Sequence, residues 1–280
     1  MFSRGDDFYE DYLEEHCPYV RNPSRSKQAL LRVLPTRAWR EWKFYRRYLP
    51  RDSVVLDIGC ARGKEWFADP ASFIAGVDPC FSPLVECARH YDVVAQAGID
   101  SLPFSDESFD CVVTSHVVGH VPFSEKDAAF SEIARVLKPG GLSINVIETD
   151  SKNRFVTFGK TDSELYQLNF VETDGHVGLE LPSELVSRFE RHGFRVVKVR
   201  KMESGVVYLR YYRKLLARGY AERSARVRRR IRLWEAIERR RPLLISYDLL
   251  TGFYHSLVEP WRTPLDHAMF VALVAVKETR

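Results

Sequence analysis

Cysteine and methionine are scarce in this 280-residue chain, at five and three. Cys17, Cys60, Cys80, Cys87 and Cys111 form no C-x-x-C pair and no zinc-ligand spacing. Their odd number argues against a disulfide framework, so a reducing, cytoplasmic setting is expected and no metal site. Long apolar runs are missing too. The run from Met269 to Val276 is far short of the roughly 20 residues that span a bilayer. The start of the chain carries Asp6, Asp7, Glu10, Asp11, Glu14 and Glu15 where a secretory leader would be basic and then apolar, so no signal peptide is expected. The dinucleotide fingerprint G-x-G-x-x-G is absent as well, which sets aside nicotinamide-dependent oxidoreductases.

What is present is organised around Val54-Val55-Leu56-Asp57-Ile58-Gly59-Cys60-Ala61-Arg62-Gly63. The apolar start suits a parallel strand covered on both faces. Asp57 and the small residues Gly59, Ala61 and Gly63 then form a turn in which backbone N–H groups can approach a ligand closely. Alanine at the middle position is tolerable there at negative φ. A second apolar run, Phe73 to Val77, ends in Asp78, 21 residues beyond Asp57. A carboxylate at that distance, at the end of a second strand, can accept both hydroxyls of a ribose.

Two more segments follow in order. Leu102-Pro103-Phe104-Ser105-Asp106-Glu107-Ser108-Phe109-Asp110-Cys111-Val112-Val113 comes first, and Glu132-Ile133-Ala134-Arg135-Val136-Leu137-Lys138-Pro139-Gly140-Gly141 then reads as a turn from helix to strand. Together the four segments resemble the ordered motifs of the class I S-adenosylmethionine (SAM)-dependent methyltransferases, in their small-molecule branch, with Ala61 in place of a usual glycine. The resemblance implies a doubly wound, Rossmann-like α/β fold with a seven-stranded sheet whose last strand runs antiparallel. It implies SAM as cofactor and S-adenosylhomocysteine as product. Asp57, Gly59, Ala61 and Gly63 would line the methionine end, Asp78 and Pro79 the ribose, and Ile99 the adenine edge. The family's acidic adenine contact falls on Gly98, so Asp100 is the candidate to replace it. Ser115 would close the cofactor side.

Strands are expected at Val54–Ile58, Phe73–Val77, Val93–Ala95, Cys111–Ser115, Leu142–Val146, Phe194–Val199 and Met269–Val276, with helices between them. The expected organisation is a helical cap over 1–50, a cofactor-binding core over 51–200 and 269–280, and a basic helical insertion over 201–268. Tyr9 or Tyr12 in the cap could close over the cofactor, and Ser26–Leu34 and Thr36–Tyr48 read as two helices. Thr149–Leu181 is a further insertion, and loops this long in a compact domain are usually lids or binding elements.

Charge is spread unevenly. Between Arg210 and Arg241 stand thirteen Lys or Arg against three Glu, a local +10 in a chain of net +4. Leu216, Tyr220, Val227, Ile231 and Trp234 form one apolar stripe at helical spacing within it. Such a helix can simply pack by its stripe with arginines in solvent. It can also meet an anionic surface, phosphates or an anionic substrate. Peripheral membrane contact therefore stays open, whereas nucleic acid is disfavoured because no recognised RNA-binding module or aromatic stacking platform is visible.

Methyl transfer to oxygen is helped by a base near neutral pKa. His116 and His120 follow the fourth strand in Ser115-His116-Val117-Val118-Gly119-His120, and His176 sits in the glycine-flanked Asp174-Gly175-His176-Val177-Gly178. These three histidines are the catalytic candidates, with Glu148 beside them; His120 also suits a structural hydrogen bond. No N-P-P-[YF] tetrapeptide follows the fourth strand, against the amino-methylating DNA and protein branches. The expectation is thus a methyltransferase acting at oxygen on a small-molecule acceptor, natural-product, sugar- or lipid-linked, with an anionic acceptor allowed by the arginine-rich helix, as a monomer or homodimer. The alternatives are a non-catalytic partner subunit of the same fold, or an enzyme acting on a polymer or at a membrane through the arginine-rich helix.

Overall fold

The computed structural model describes residues 37–203, 216 and 219–279. Tyr9, Tyr12, the Ser26–Leu34 helix and most of the stretch from 204 to 218 lie outside them. Seven strands form one sheet in the order β3-β2-β1-β4-β5-β7-β6: β1 Ser53–Ile58, β2 Ala71–Asp78, β3 Val93–Gln96, β4 Phe109–Ser115, β5 Leu137–Glu148, β6 Phe194–Met202 and β7 Phe270–Lys277. β7 lies between β5 and β6 and is antiparallel to both. The expected fold is therefore the observed one. Alternate residues face opposite ways along a strand, and here both faces are buried. Val55, Val113, Ile144 and Val274 point into one core; Leu56, Val112, Ile147 and Leu273 point into the other.

The helices α1 (Arg37–Tyr48), α2 (Glu65–Ala68), α3 (Phe81–Cys87) and α4 (Lys126–Val136) surround the parallel half. The Lys138–Gly141 segment, expected as a turn from helix to strand, instead belongs to β5. Leu137 pairs with Phe109 and Leu142 with Cys111, so the residues between them bulge out of register. Gly140 takes φ of 77° inside this bulge.

Several motif residues turn out to brace loops. Arg135 on α4 donates to the carbonyls of Leu102 and Phe104 and to Asp106, while Glu132 accepts from the Leu102 N–H at 2.7 Å. Asp110 accepts from the Val54 N–H and from Lys138. Two of the four motifs thus interlock and fix the segment leading into β4.

The first insertion folds as α5 (Arg154–Gly159), α6 (Ser163–Tyr166), a π-turn over Gln167–Glu172 and a loop returning to α7 (Pro182–Arg191). The second contains α8 (Tyr220–Arg223), α9 (Ala225–Glu238), α10 (Arg241–Phe253) and α11 (Glu259–Arg262). The two pack together. The Tyr220 hydroxyl donates to the Gly159 carbonyl at 2.7 Å, and Phe155, Leu165, Phe170, Leu216, Tyr220, Val227 and Ile231 share one core. All five stripe residues are buried, as the spacing predicts. They do not sit on one helix, however. Ser224 is extended (φ −139°, ψ 114°) and its hydroxyl accepts from the Val227 N–H, so it ends α8 and caps α9.

Candidate active site

The strands deliver their ligand candidates at their carboxyl ends, where open α/β sheets bind. Asp57 stands near the end of β1, Asp78 ends β2, Ser115 ends β4 and Glu148 ends β5. Asp57 is fully buried. One of its oxygens accepts from the Tyr91 hydroxyl at 2.7 Å, and that hydroxyl accepts from the Lys64 N–H at 2.9 Å. Its other oxygen, Oδ1, is buried without a hydrogen-bond partner. Burial pushes the Asp57 pKa up against the opposing charge of Lys64 and the Tyr91 bond.

The turn after β1 is built from left-handed backbone: Gly59, Ala61 and Gly63 have φ of 69°, 46° and 78°. The negative φ expected for Ala61 is not what the chain adopts. Left-handed alanine costs roughly 1–2 kcal/mol, and a specific contact offsets it: the Ala61 N–H donates to Asp78 Oδ2 at 3.0 Å. Asp78 Oδ1 accepts from the Cys80 N–H at 2.9 Å. Asp78 therefore ties the first turn to the second, and its carboxyl pKa is raised by burial against those two bonds. At Gly59 a Cβ would stand 2.3 Å from the Val117 side chain, so the turn lies close against the segment after β4.

Pro79 is exposed and its carbonyl accepts from Gln96 on β3 at 2.9 Å. Ile99 is half-buried against the core. Gly98 explains itself in part: Asp100 Oδ1 lies 2.4 Å from where a Cβ on Gly98 would stand. The Asp100 side chain thus folds back over the position that lacks one.

On the other side of the turn the three candidate histidines come together around Glu148. His116, with φ of 62°, directs Nδ1 to Glu148 and Nε2 to Glu41 Oε2 at 3.2 Å. Two carboxylate partners require two ring donors, the imidazolium form. His120 Nδ1 donates to the Gly175 carbonyl at 3.0 Å, and its ring lies 4.8 Å from that of His176. His120 thus ties the segment after β4 to the first insertion. Burial by itself would raise the Glu148 pKa. The charges of His116, His176 and His120 and the His116 hydrogen bond outweigh it and hold the carboxyl far below the usual carboxylate range.

A depressed carboxyl stabilises the fold above its ordinary pKa of about 4.3, and that contribution is lost as pH falls through the folded value. Urea unfolding should therefore show wild type most ahead of Glu148→Gln near neutral pH. The gap should narrow steadily on acidification below about pH 5. A gap that stays constant from pH 7 to pH 3.5 would mean that Glu148 is not ionised beside the histidines.

Three residues escaped the sequence reading. Tyr91 carried no signal, since it falls in the turn after α3. Glu41 and Tyr45 carried one: they are four apart on α1 and so share a face. Tyr45 is buried and donates to the Thr114 carbonyl at 2.6 Å while Glu41 reaches His116, so this face closes on the end of β4.

Residues 56–145 match the methyltransferase domain family. The core belongs to the class I SAM-dependent methyltransferases. The orphaned Asp57 oxygen, the close-approach glycine turn and the buried Asp78 suit a ligand rich in donors, as SAM is. Over 141 residues the chain is 36% identical to the probable tRNA methyltransferase 9B of Homo sapiens, covering 49% of this chain and 30% of that protein. It is 31% identical over 104 residues to the tRNA (carboxymethyluridine(34)-5-O)-methyltransferase of Arabidopsis thaliana, 37% of this chain and 26% of the relative. The chain thus spans less than a third of either of these curated relatives. A SAM-dependent methyltransferase structure from Thermotoga maritima superposes with a TM-score of 0.57 at 16% identity, over 97% of this chain and 99% of that one. That likeness is one of fold.

The methyltransferase relatives overturn one expectation. Nucleic acid was disfavoured as a partner, yet these relatives are named as tRNA methyltransferases. The absence of a recognised RNA-binding module was a poor guide, because basic surface on an appended element can supply phosphate affinity without one. Among the described residues no helix is long and apolar enough to cross a membrane, and no cluster could hold a metal ion.

Proposed function

We propose that this methyltransferase acts on RNA of the tRNA class, transferring a methyl group from SAM to an oxygen and releasing S-adenosylhomocysteine. The observation that carries this reading is the match between the core and enzymes named for methylation of tRNA, one of them at oxygen. The local +10 between Arg210 and Arg241 supports it, being the charge a polyanionic acceptor requires.

When bound, SAM supplies an activated sulfonium methyl. Asp57, Gly59, Ala61 and Gly63 are assigned to its methionine end and Asp78 with Pro79 to the ribose. Ile99 and Asp100 take the adenine edge, and Ser115 the side nearest the methyl. His116, His120, His176 and Glu148 serve the acceptor. The His116 imidazolium first passes its Nε2 proton to Glu41; the neutral ring then accepts the proton of a hydroxyl acceptor, and the Glu148 carboxylate balances the charge that returns to the ring. The organisation is read as a helical cap, a SAM-binding core and a basic insertion on the acceptor side.

Methyl-labelled SAM incubated with the enzyme and host extract tests the reading, with the products partitioned into organic-soluble, small polar and macromolecular pools. Label is expected in the macromolecular pool and should be released by ribonuclease but not by protease. Label in either small-molecule pool, or label that resists ribonuclease, would overturn it.

A further inference from the structure

The apolar stripe of α9 is spent on packing, with Trp234 fully buried and Val227 and Ile231 nearly so. That fixes the opposite face outward. Arg226, Arg229 and Arg232 recur every three residues on that face, all exposed, and Arg239 and Arg240 continue it past the end of the helix. The neighbouring arginines have other work. Arg223 pairs with Asp162, and Arg228 donates to the carbonyls of Ala221 and Glu222 at 2.9 and 3.1 Å, finishing α8. Arg226, Arg229 and Arg232 enter no ion pair among the described residues. Three like charges on one helical face repel each other and lower helix stability, and an anion laid along that face would relieve the repulsion.

The placement is as telling as the charge. α8 leads into α9 and is bolted to the first insertion by the Tyr220–Gly159 hydrogen bond and the Arg223–Asp162 pair. That insertion carries His176 to the Glu148 cluster. A polyanion lying along α9 is therefore held by the same unit that lines the acceptor side. From Arg226 to Arg240 the helix and its end extend about 20 Å at 1.5 Å per residue, enough for several consecutive phosphates.

We propose that the outer face of α9 binds the phosphodiester backbone of the RNA acceptor, with Arg226, Arg229 and Arg232 as its central contacts. This rests on the nucleic-acid reading above. The contacts are to backbone phosphates, so they supply affinity and register and carry no base preference.

The triple variant Arg226→Gln/Arg229→Gln/Arg232→Gln tests it on the full chain. Binding of fluorescein-labelled total host tRNA is followed by anisotropy from 50 to 300 mM NaCl, beside methylation kinetics on the same tRNA. Each lost phosphate contact removes roughly 0.7–0.9 from the slope of log K against log salt. The variant should lose about two from that slope and bind on the order of 10- to 100-fold more weakly. KM for tRNA should rise in step, with kcat within about twofold and SAM affinity by calorimetry unchanged. A control variant, Arg51→Gln/Arg89→Gln, removes exposed charge near the amino ends of the strands and should leave the slope intact. If wild type methylates tRNA and the triple variant keeps its slope and KM, the α9 surface is not the RNA contact. An equal loss in the control would overturn it too, because the effect would then be one of net charge. If wild type neither binds nor methylates tRNA, the nucleic-acid reading itself has failed, and this assignment with it.

Discussion

Replacing Asp78 with alanine should abolish measurable SAM binding while leaving the chain folded. Asp78 does two jobs at once. Its carboxylate is the candidate acceptor for the ribose hydroxyls, and it already holds the Ala61 and Cys80 N–H groups at 3.0 and 2.9 Å. Hydrogen bonds to a charged acceptor contribute about 1.5–3 kcal/mol each. Without them Ala61 has no compensation for φ of 46°, and the turn should relax away from the shape that meets the ligand. Loss of both ribose bonds and of the preformed turn should weaken binding by a factor on the order of 1,000 or more, about 4 kcal/mol. Asn at this position should rescue little: its amide oxygen can serve one N–H, but its NH2 group would face the other donor. Calorimetric titration with SAM and with S-adenosylhomocysteine reads the effect, with a thermal melt to confirm folding. A Kd within threefold of wild type would show that the cofactor does not use the end of β2.

The fold was readable because the central strands β1, β4 and β7 are buried on both faces and so read as apolar runs, and because the runs of β1, β2 and β4 meet a polar residue at or near their carboxyl ends. Asp57, Asp78 and Ser115 mark carboxyl ends of strands in the sequence and in space alike. The histidine cluster was readable only in pieces. His116 and His120 follow from the end of β4, but nothing local says that a loop 56 residues beyond His120 returns His176 to it. That pairing depends on the first insertion folding back, a matter of packing and not of periodicity. The break at Ser224 escaped for a different reason: both sides of it keep the same buried stripe, so the spacing looks continuous while the backbone is not. The two departures from the family pattern, Ala61 after β1 and Gly98 after β3, are accommodated by distant or neighbouring groups. Asp78 pins the one, and the Asp100 side chain folds back over the other. A nucleic-acid partner leaves little mark in the sequence when no folded module supplies it, because phosphate affinity needs only charge held in register.

Gly178 is where the acceptor side should prove most fragile. Its N–H donates to the Gly119 carbonyl at 3.0 Å, joining the loop that carries His176 to the segment that carries His120. A Cβ on Gly178 would fall 1.8 Å from the Val121 carbonyl oxygen and 2.9 Å from Lys126 Cε. The first of these is backbone and cannot swing aside. Lys126 has little room, being buried and held by Glu180 at 3.0 Å and by the Val118 carbonyl at 3.0 Å. Gly178→Ala must therefore undock the loop, losing the Gly119 bond and the packing around it. Overpacking of a tight site costs about 1–3 kcal/mol and a lost hydrogen bond about 1 more, which corresponds to a fall in Tm of roughly 5–15 °C for a chain of this size. Because His176 leaves the cluster with the loop, methyl transfer to the proposed RNA acceptor should fall on the order of 100-fold, within the range removed with a general acid–base group. SAM affinity should hold within a few-fold, since the turn after β1 is built without Gly178. Gly140→Ala supplies the comparison: nothing lies within 4 Å of its Cβ position, though φ is 77°. That variant should lose about 1 kcal/mol of stability to backbone strain and keep its activity. Full activity in Gly178→Ala, at a Tm no lower than that of Gly140→Ala, would mean that the docked loop is not part of the working site.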